Sequence, residues 1–402
     1  MIFWTTSLVF FIIGLNPKYG YILLFPLITI IPFSNTLAQY FYKFGLNSYD
    51  FFFMGVLVYL SVKAIYTRKI SASGIEIFIL ITIILIITSL FFNEVSKYWI
   101  RDLRLLLILI FGHITYVTLS SKMPINSSYS LYIFLIAAIS CIFWGLMNYL
   151  GKLNITDLFY INNAFRYFSV STYMCAVFLI FSSQFIQAQK QRILYSIVVL
   201  LSALAVLISG LRSLTVIVIL IFIVTRIKNL SAYIFIPIIF IFLLFISSHY
   251  NDNELFSRLL SLDAETISSN TSTRFVPFFK VIAEFSEINY LLGSGLGTTF
   301  EIGWFEWREN KDVHNNFIDS TYLTLYAKLG ILSLIYIFGF VRSLMINLPN
   351  HIPAQTTMMF FIIPLMVFFA VPYQMAFIGI LLSLPLLRSL LNVSVQNHNY
   401  GE

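Results

Sequence analysis

The chain has 402 residues, of which 59% are hydrophobic and only 10% are charged, and its mean hydropathy is +0.89. Soluble globular domains need far more charge on their surfaces, so this composition indicates a membrane protein. The net charge of +7 would suit nucleic acid, but in a membrane protein such an excess usually marks loops that face anionic lipid. We therefore expect membrane lipid as a partner and no nucleic acid.

Long apolar runs predict the transmembrane helices. About 20 apolar residues in a helix cross the roughly 30 Å of hydrocarbon, and continuous rather than alternating apolar sequence favours helices over a barrel. In chain order the predicted crossings are Ile2–Ile13, Tyr19–Phe33, Phe51–Val62, Ile75–Phe92, Ile100–Leu119, Leu131–Leu150, Phe168–Ile186, Ile193–Ile208, Leu214–Val224, Tyr233–Ser247, Phe317–Phe340, Thr356–Val371 and Ala376–Leu387. They predict an all-α polytopic membrane protein with about 12–14 transmembrane helices. The apolar start lacks a small-residue cleavage site, which favours a retained first helix.

Charge in the loops predicts the orientation and the division of the chain. By the positive-inside rule, basic loop residues mark the cytoplasmic side. These residues are Lys63, Arg68, Lys69, Lys190, Arg192, Arg226, Lys228 and Arg342. Residues 1–248 are then predicted to hold helices 1 to about 10, and residues 249–316 a large periplasmic loop. Residues 317–402 are predicted to hold helices about 11 to 13 and a cytoplasmic tail.

The long segment 249–316 differs from the rest of the chain in its charge. Between His249 and Asp319 lie 11 of the 17 acidic residues, against five basic residues. Pro277 opens a stretch in which a short amphipathic helix along the membrane interface is predicted by the apolar residues Phe278, Ile282 and Phe285. Three glycines, at 293, 295 and 297, predict a turn after this helix. A loop of this length is expected to be ordered and functional.

Arginines on the predicted outer side are the first candidate site residues. The positive-inside bias works against them, so each needs a physical reason. They are Arg166, Arg212, Arg258, Arg274 and Arg308. Each could snorkel to a lipid phosphate or pair with a loop carboxylate, but several guanidiniums on one side can also bind a diphosphate in bidentate fashion. Arg212 departs furthest from the first alternative, because its turn, SGLRS, is too short to be a solvated loop.

A histidine stands at the mouth of an apolar run on the same predicted side. His314 begins the stretch HNNFIDSTYLTLYAKLG. A neutral imidazole in this position can take a proton from an attacking hydroxyl. The alternative is a histidine that caps the helix or simply lies at the membrane interface.

Motifs for nucleotide or metal chemistry are absent from the sequence. It has no Walker-type Gly-Lys motif, no Gly-x-Ser-x-Gly and no metal-ligand cluster, and its predicted cytoplasmic loops carry almost no carboxylates. We therefore expect no metal and no cofactor, with an activated substrate such as a lipid-diphosphate sugar as the source of energy. Cys141 and Cys175 lie in apolar runs and are predicted to be small core residues rather than a disulfide.

Three stretches together resemble a known family. They are SGLRSLTVIVIL, TSTRFVPFFKVIAEFSEINYLLGSGLG and HNNFIDSTYLTLYAKLGILSLI. Their order and spacing over roughly residues 190–340 resemble the bacterial O-antigen polymerase and O-antigen ligase superfamily, and the predicted helix count fits over the whole chain. The matching positions are Arg212, Arg274, the glycines at 293, 295 and 297, the pair His314 and Asn315, and Gly330.

The resemblance implies a fold and an activity. It implies a GT-C-like, multi-pass enzyme of the bacterial inner membrane whose active site faces the periplasm. Its donor would be an undecaprenyl-diphosphate-linked oligosaccharide, used without metal by an inverting glycosyl transfer in lipopolysaccharide biosynthesis. Arg212 and Arg274 would hold the pyrophosphate with help from Arg166, and His314 would activate the acceptor hydroxyl.

Further candidate residues and alternative functions complete these expectations. Asn315, Arg258, Arg308 and Tyr322 are candidates for substrate binding, and Tyr322 and Asp319 for lining a sugar channel. We favour a polymerase, which moves the growing chain onto the next lipid-linked repeat unit and often works with a chain-length regulator protein. A ligase, which moves the chain onto the lipid A core, and a flippase for lipid-linked sugars are the alternatives.

Overall fold

The computed structural model describes residues 1–34, 37–67, 82–83, 85–87, 89–90, 93–120, 125–150, 167–185, 191–226, 275–302, 313–346, 348 and 352–398. Over these residues the chain is mostly helical, which confirms the predicted secondary-structure class. The predicted crossing Tyr233–Ser247 lies outside the described residues, and so does all of Ile75–Phe92 except helical residues between 82 and 90.

The first half of the chain forms six helices and one small ladder within the described ranges. The helices are α1 (Ile2–Gly14), α2 (Pro17–Ile30), α3 (Ala38–Phe41), α4 (Asp50–Thr67), α5 (Lys97–Ser120) and α6 (Ser127–Tyr149). Between α3 and α4, strands β1 (Tyr42–Lys43) and β2 (Leu46–Asn47) pair antiparallel, with Tyr42 opposite Asn47. Gly45 turns this hairpin with a φ of 84°, a left-handed conformation that favours glycine.

The second half continues the helical pattern where the structure describes it. Its helices are α7 (Val170–Phe181), α8 (Arg192–Ile208), α9 (Arg212–Arg226), α10 (275–283), α11 (Glu287–Leu292), α12 (Thr321–Leu329), α13 (Leu332–Ile346), α14 (Ile352–Phe368) and α15 (Met375–His398). Strands β3 (Phe300–Glu301) and β4 (His314–Asn315) pair antiparallel, with Glu301 opposite His314.

Polar side chains fix where two central helices begin. At α6, Asn126 Oδ1 accepts a hydrogen bond from the Tyr129 amide at 2.7 Å. At α7, Ser169 and Thr172 form a capping box, in which each side chain accepts from the other residue's backbone N–H. These bonds satisfy amides that have no partner inside the helix, so they define the first turn.

Helix α7 is the centre of the bundle. Every residue from Val170 to Phe181 is buried, and the helix packs against α2, α6, α8, α9, α14 and α15. Its sequence, VSTYMCAVFLIF, is apolar nearly all round, as expected for a helix with neighbours on every side. Cys175 in α7 and Cys141 in α6 are buried free thiols, in line with the predicted core role.

The outer helices present large apolar side chains to the surroundings. Leu200, Leu220, Phe338 and Phe360 are each more than half exposed. Among the described helices, Ser127–Asn148 alone is both long and apolar enough to span a membrane by itself. Eight other helical segments are apolar but shorter, at 10–17 residues.

The run Phe317–Phe340, predicted as one crossing, is two helices. α12 ends at Leu329 and α13 begins at Leu332, and Gly330 between them has a φ of 55°. A Cβ on Gly330 would lie 2.6 Å from the backbone oxygen of Tyr290. The chain therefore bends where the backbone of α11 packs against it, and apolar content alone does not reveal this bend.

The described parts of the long segment form a compact layer rather than an isolated loop. Helix α10 confirms a helix around Pro277, and Phe278 packs into a small apolar cluster with Phe300 and Ile318. Phe285, predicted on the same helix face, lies after the end of α10 and contacts the ring of Tyr290 at 5.4 Å. Exposed apolar residues of α10 and α11, namely Phe275, Val276, Phe279, Ile288 and Leu291, lie on the outside of this layer.

Many helix ends meet at one end of the bundle, which we call the polar end. Hydrogen bonds across it run from Val170 N to Phe33 O (3.1 Å), from Tyr167 N to Ser209 O (3.2 Å), from the Tyr173 hydroxyl to Gln374 Oε1 (3.4 Å) and from the Thr321 hydroxyl to Phe369 O (2.6 Å). Helices α4, α5, α7, α9, α12 and α15 begin there, and α2, α8 and α14 end there.

Gly293→Ala tests the close packing of the glycine turn. Gly293 has a φ of 74°, and an added Cβ would lie 2.1 Å from the backbone carbon of Lys328. Because both the conformation and the space exclude a side chain, we expect a loss of about 2 kcal/mol or more and a lower unfolding temperature. Ser294→Ala, at the next residue, is the control and should unfold like wild type in a thermal scan. Equal midpoints for Gly293→Ala and wild type would contradict the described packing.

Candidate functional site

A buried carboxylate, Asp102 in the second turn of α5, is the hub of the polar end. Its Oδ1 accepts hydrogen bonds from Asn316 Nδ2 and from the Tyr373 hydroxyl, both at 2.9 Å. Its Oδ2 accepts from the Gly297 amide at 2.7 Å and from the Lys328 ammonium. Both oxygens are therefore fully used, as an ionised carboxylate without solvent contact requires.

Lys328 supplies the charge that balances Asp102. Its side chain is 1% exposed, and that of Asp102 is 0% exposed, so neither charge is hydrated. The Lys328 ammonium also donates to the backbone oxygen of Thr298 at 2.6 Å. The pair joins α5 to the end of α12 and to the glycine turn, and its charges are tolerated because each has several partners.

A second buried ion pair is formed by Arg104, two residues further along α5. Arg104 Nε donates to Asp50 Oδ2 at 2.7 Å, and a terminal nitrogen of the same guanidinium donates to Oδ1 at 3.1 Å. This two-point geometry fixes the plane of the guanidinium. Further bonds tie in the Tyr49 hydroxyl (3.3 Å) and the backbone oxygen of Pro372 (3.5 Å). The beginnings of α4 and α5 are thus fixed to each other and to the turn before α15.

His314 lies on the small β3–β4 ladder at the same end. Its residue is exposed, whereas its neighbour Asn315 is buried, as expected for alternating residues of a strand. The Tyr98 hydroxyl donates to the backbone oxygen of His314 at 3.2 Å. Two residues further on, Asn316 reaches Asp102, so the ladder is anchored to α5 on both sides of Asn315.

Glu301, opposite His314 on the ladder, has its own partner. Its carboxylate accepts from Lys280 Nζ at 2.7 Å, and both side chains are more than half exposed. The hydrogen bond from Lys280 holds the pKa of Glu301 below its usual value. Within the described residues, no three His, Cys, Asp or Glu side chains group closely enough to hold a metal ion.

Arg212 is the first residue of α9 and is half-buried. It follows a turn in which Gly210 has a φ of 66° and the Ser209 carbonyl accepts from the Tyr167 amide. This bond places the turn beside the beginning of α7, so Arg212 belongs to the same end of the bundle as His314. The structure thus brings these two predicted site residues to one end.

Of the remaining predicted site residues, four lie outside the described part of the chain and two lie within it. Arg166, Arg258, Arg274 and Arg308 lie outside the described residues. Asn315 donates from Nδ2 to the backbone oxygen of Phe317 at 2.9 Å, which shapes the loop before α12. Tyr322 donates to the backbone oxygen of Ile363 at 3.3 Å and so contacts α14.

The most deeply buried charges were not predicted from the sequence. Asp102, Arg104 and Lys328 stand inside runs treated only as apolar crossings, and Asp50 directly precedes another. Arg101, half-buried between two aromatic rings, was missed for the same reason. Their position in the sequence could have identified them, because an ionisable residue inside an apolar run usually belongs to an ion pair or a functional site.

Comparisons with known proteins give one match. The model of DUF6369, described as a family of unknown function, matches residues 21–129 and 113–395. These two overlapping stretches include the ion pairs, the glycine turn and the ladder of the polar end. No curated protein and no solved structure matches the chain.

Lys328→Met tests the buried pair. Methionine keeps most of the side-chain volume but leaves the Asp102 carboxylate buried without its counter-charge. We expect a loss of about 3–5 kcal/mol of stability, read as a lower unfolding midpoint or a lower yield of folded protein.

Lys280→Met is the matched control, because it breaks an ion pair whose members are both exposed. It should leave the unfolding midpoint close to that of wild type. If both lysine variants had the same midpoint, the Asp102–Lys328 pair would not be the buried hub described above. Adding Asp102→Asn to Lys328→Met should recover part of the loss, since no net charge is then left buried.

Proposed function

The chain belongs to the DUF6369 family, and we propose that it is a membrane-embedded glycosyltransferase that uses a lipid-diphosphate-linked oligosaccharide as its donor. The observation that carries the proposal is the asymmetry of the molecule. An apolar helical bundle concentrates its buried charges, its half-buried Arg212 and its exposed His314 at one end. The reaction we propose needs this combination of cations and a base beside a lipid phase.

The surroundings of the bundle support a multi-pass arrangement. Side chains as large as Phe338 and Phe360 are more than 60% exposed on outer helices, which is unfavourable in water and favourable in lipid. At about 1.5 Å per residue, helices of 12–17 residues extend over roughly 18–26 Å, which is most of the hydrocarbon thickness. We therefore propose that these helices cross the membrane together with Ser127–Asn148.

The distribution of charge supports an outward-facing polar end. Cations at the opposite end of the described helices are Lys63, Arg192, Arg342 and Arg388. All the described carboxylates, Asp50, Glu94, Asp102, Glu284, Glu287, Glu301 and Asp319, lie at or near the polar end. The polar end also holds cations, but Arg104, Lys280 and Lys328 are paired there with carboxylates. In keeping with the basic loops of the sequence, we propose that the opposite end faces the cytoplasm and the polar end faces the periplasm of the bacterial inner membrane.

The proposed chemistry assigns His314 as the base. The acceptor sugar hydroxyl attacks the anomeric carbon of the donor while His314 takes its proton, and a new glycosidic bond forms with inversion. The bond from the anomeric carbon to the undecaprenyl diphosphate breaks, and the diphosphate leaves with the bonding electrons. Arg212 is proposed to stabilise the charge that develops on this leaving group. Such a reaction needs no metal and no nucleotide.

We assign the transfer to a polymerase, which adds the growing glycan to the next lipid-linked repeat unit. A flippase would be expected to carry polar groups near the middle of the membrane and repeated halves. The buried charges among the described residues instead gather at one end, the end that also carries His314 and Arg212, which favours transfer over transport. The chain-length regulator expected from the resemblance remains a proposed partner.

His314→Ala tests the proposed role of the imidazole in cells that make a surface glycan with this protein. We expect normal insertion and abundance but loss of chain growth, so that single repeat units cap the core lipid on a gel. Arg274→Ala, proposed from the resemblance, should give the same pattern. The reason is that proton removal and leaving-group stabilisation each contribute factors of about 10²–10⁴ to such a reaction.

Glu287→Gln is the matched control, because Glu287 is an exposed carboxylate on the neighbouring helix α11 and takes no part in the proposed chemistry. It should keep wild-type chain lengths. Wild-type chains in His314→Ala would refute the assignment of the base. Deletion of the protein separates the alternatives, since loss of all capping would indicate a ligase and lipid-linked repeats stranded inside would indicate a flippase.

A further inference from the structure

Arg101 is placed on the polar end by the two ion pairs of α5. Asp102 and Arg104, which follow it in the chain, are both buried and ion-paired, so the rotation of this part of α5 about its axis is fixed. The turn of the β1–β2 hairpin also packs on it, because a Cβ on Gly45 would lie 2.9 Å from the Arg101 amide. The Arg101 backbone is therefore held rigidly, while its side chain remains partly exposed.

Two aromatic rings hold the Arg101 guanidinium. Its central carbon lies 4.8 Å from the centroid of the Phe317 ring and 5.6 Å from that of Tyr42. The Phe317 ring is in turn stacked on Tyr373, with centroids 5.2 Å apart. Rings stabilise a guanidinium through its charge and its flat face, but they accept no strong hydrogen bond from its N–H groups.

The N–H groups of Arg101 have no acceptor among the residues that the structure describes. The adjacent carboxylate, Asp102, does not accept a hydrogen bond from Arg101. Its oxygens already accept from Lys328, Asn316, Tyr373 and the Gly297 amide. Three cations around α5 face two buried carboxylates, so one positive charge is left in excess at Arg101. Such a preordered fork is suited to an anion with several oxygens.

We infer that Arg101 binds a diphosphate group at the polar end, held flat by Phe317 and Tyr42. The binding itself follows from the geometry of Arg101, and the proposed function supplies the source of the group, a lipid-linked donor. Phe317 lies three residues after His314, so the bound diphosphate lies near the proposed base. Arg212, on a different helix, lies at the same end of the bundle.

The test uses the full chain in phosphatidylcholine nanodiscs, with calorimetric titration of inorganic pyrophosphate and, separately, of farnesyl diphosphate. Arg101→Gln should weaken both by about tenfold or more, because charge-assisted bonds are lost. Arg101→Lys keeps the charge without the fork and should bind with intermediate affinity. Lys97→Gln removes the same charge one turn earlier, from an exposed lysine over the Tyr98 ring, and should bind as wild type.

The outcomes separate the binding site from the proposed function. Loss of binding in Arg101→Gln alone, with an unchanged unfolding midpoint, supports the inference, even if His314→Ala leaves glycan chains intact. Equal affinities for wild type and Arg101→Gln, or equal losses in Arg101→Gln and Lys97→Gln, overturn it. Tighter binding of farnesyl diphosphate than of pyrophosphate indicates a lipid-borne ligand and supports it. Loss of wild-type binding when phosphatidylglycerol is added would make a lipid headgroup the occupant and overturn it.

Discussion

The buried ion pair between Asp102 and Lys328 is the interaction on which the polar end depends. Asp102 bonds to groups that are 195, 214, 226 and 271 residues away along the chain. It thereby joins α5 to the glycine turn, to the loop that carries His314, to α12 and to the turn before α15. Separating the two residues would leave a buried charge with neither solvent nor counter-ion. The cost of that unpaired charge, together with the attraction of the pair, keeps these segments in place.

The other features of this end follow from that constraint. Because α5 is fixed by Asp102 and Arg104, Arg101, just before them in the chain, is held at the edge of the buried network rather than inside it. Because Asn316 is bonded to Asp102, His314 stands on a short ladder with a fixed backbone instead of on a free loop. A rigid support of this kind is what a base or an anion-binding group needs in order to act without reorganisation.

Most of the helices could be predicted from the sequence, because apolar runs have a strong periodic signal. α1, α6 and α8 begin and end within a few residues of the predicted runs. The bend at Gly330 could not be predicted, since it depends on the backbone of α11 packing against that position. Nor could the pairing of Asp102 with Lys328, because a contact between residues 226 apart leaves no local pattern. Arg212 and His314 were singled out by charge and position, whereas Arg101 was hidden within an apolar run.

The separation of Asp102 from Lys328 also bears on how the protein is made. Since synthesis proceeds from the N-terminus, Asp102 emerges 226 residues before the ammonium that neutralises it. During that interval the Asp102 carboxylate must stay in contact with water, because burying an unpaired anion is too costly. The beginning of α5 can therefore be buried at this site only when α12 arrives. A chain truncated before α12 should for this reason be recognised by quality-control proteases rather than accumulate.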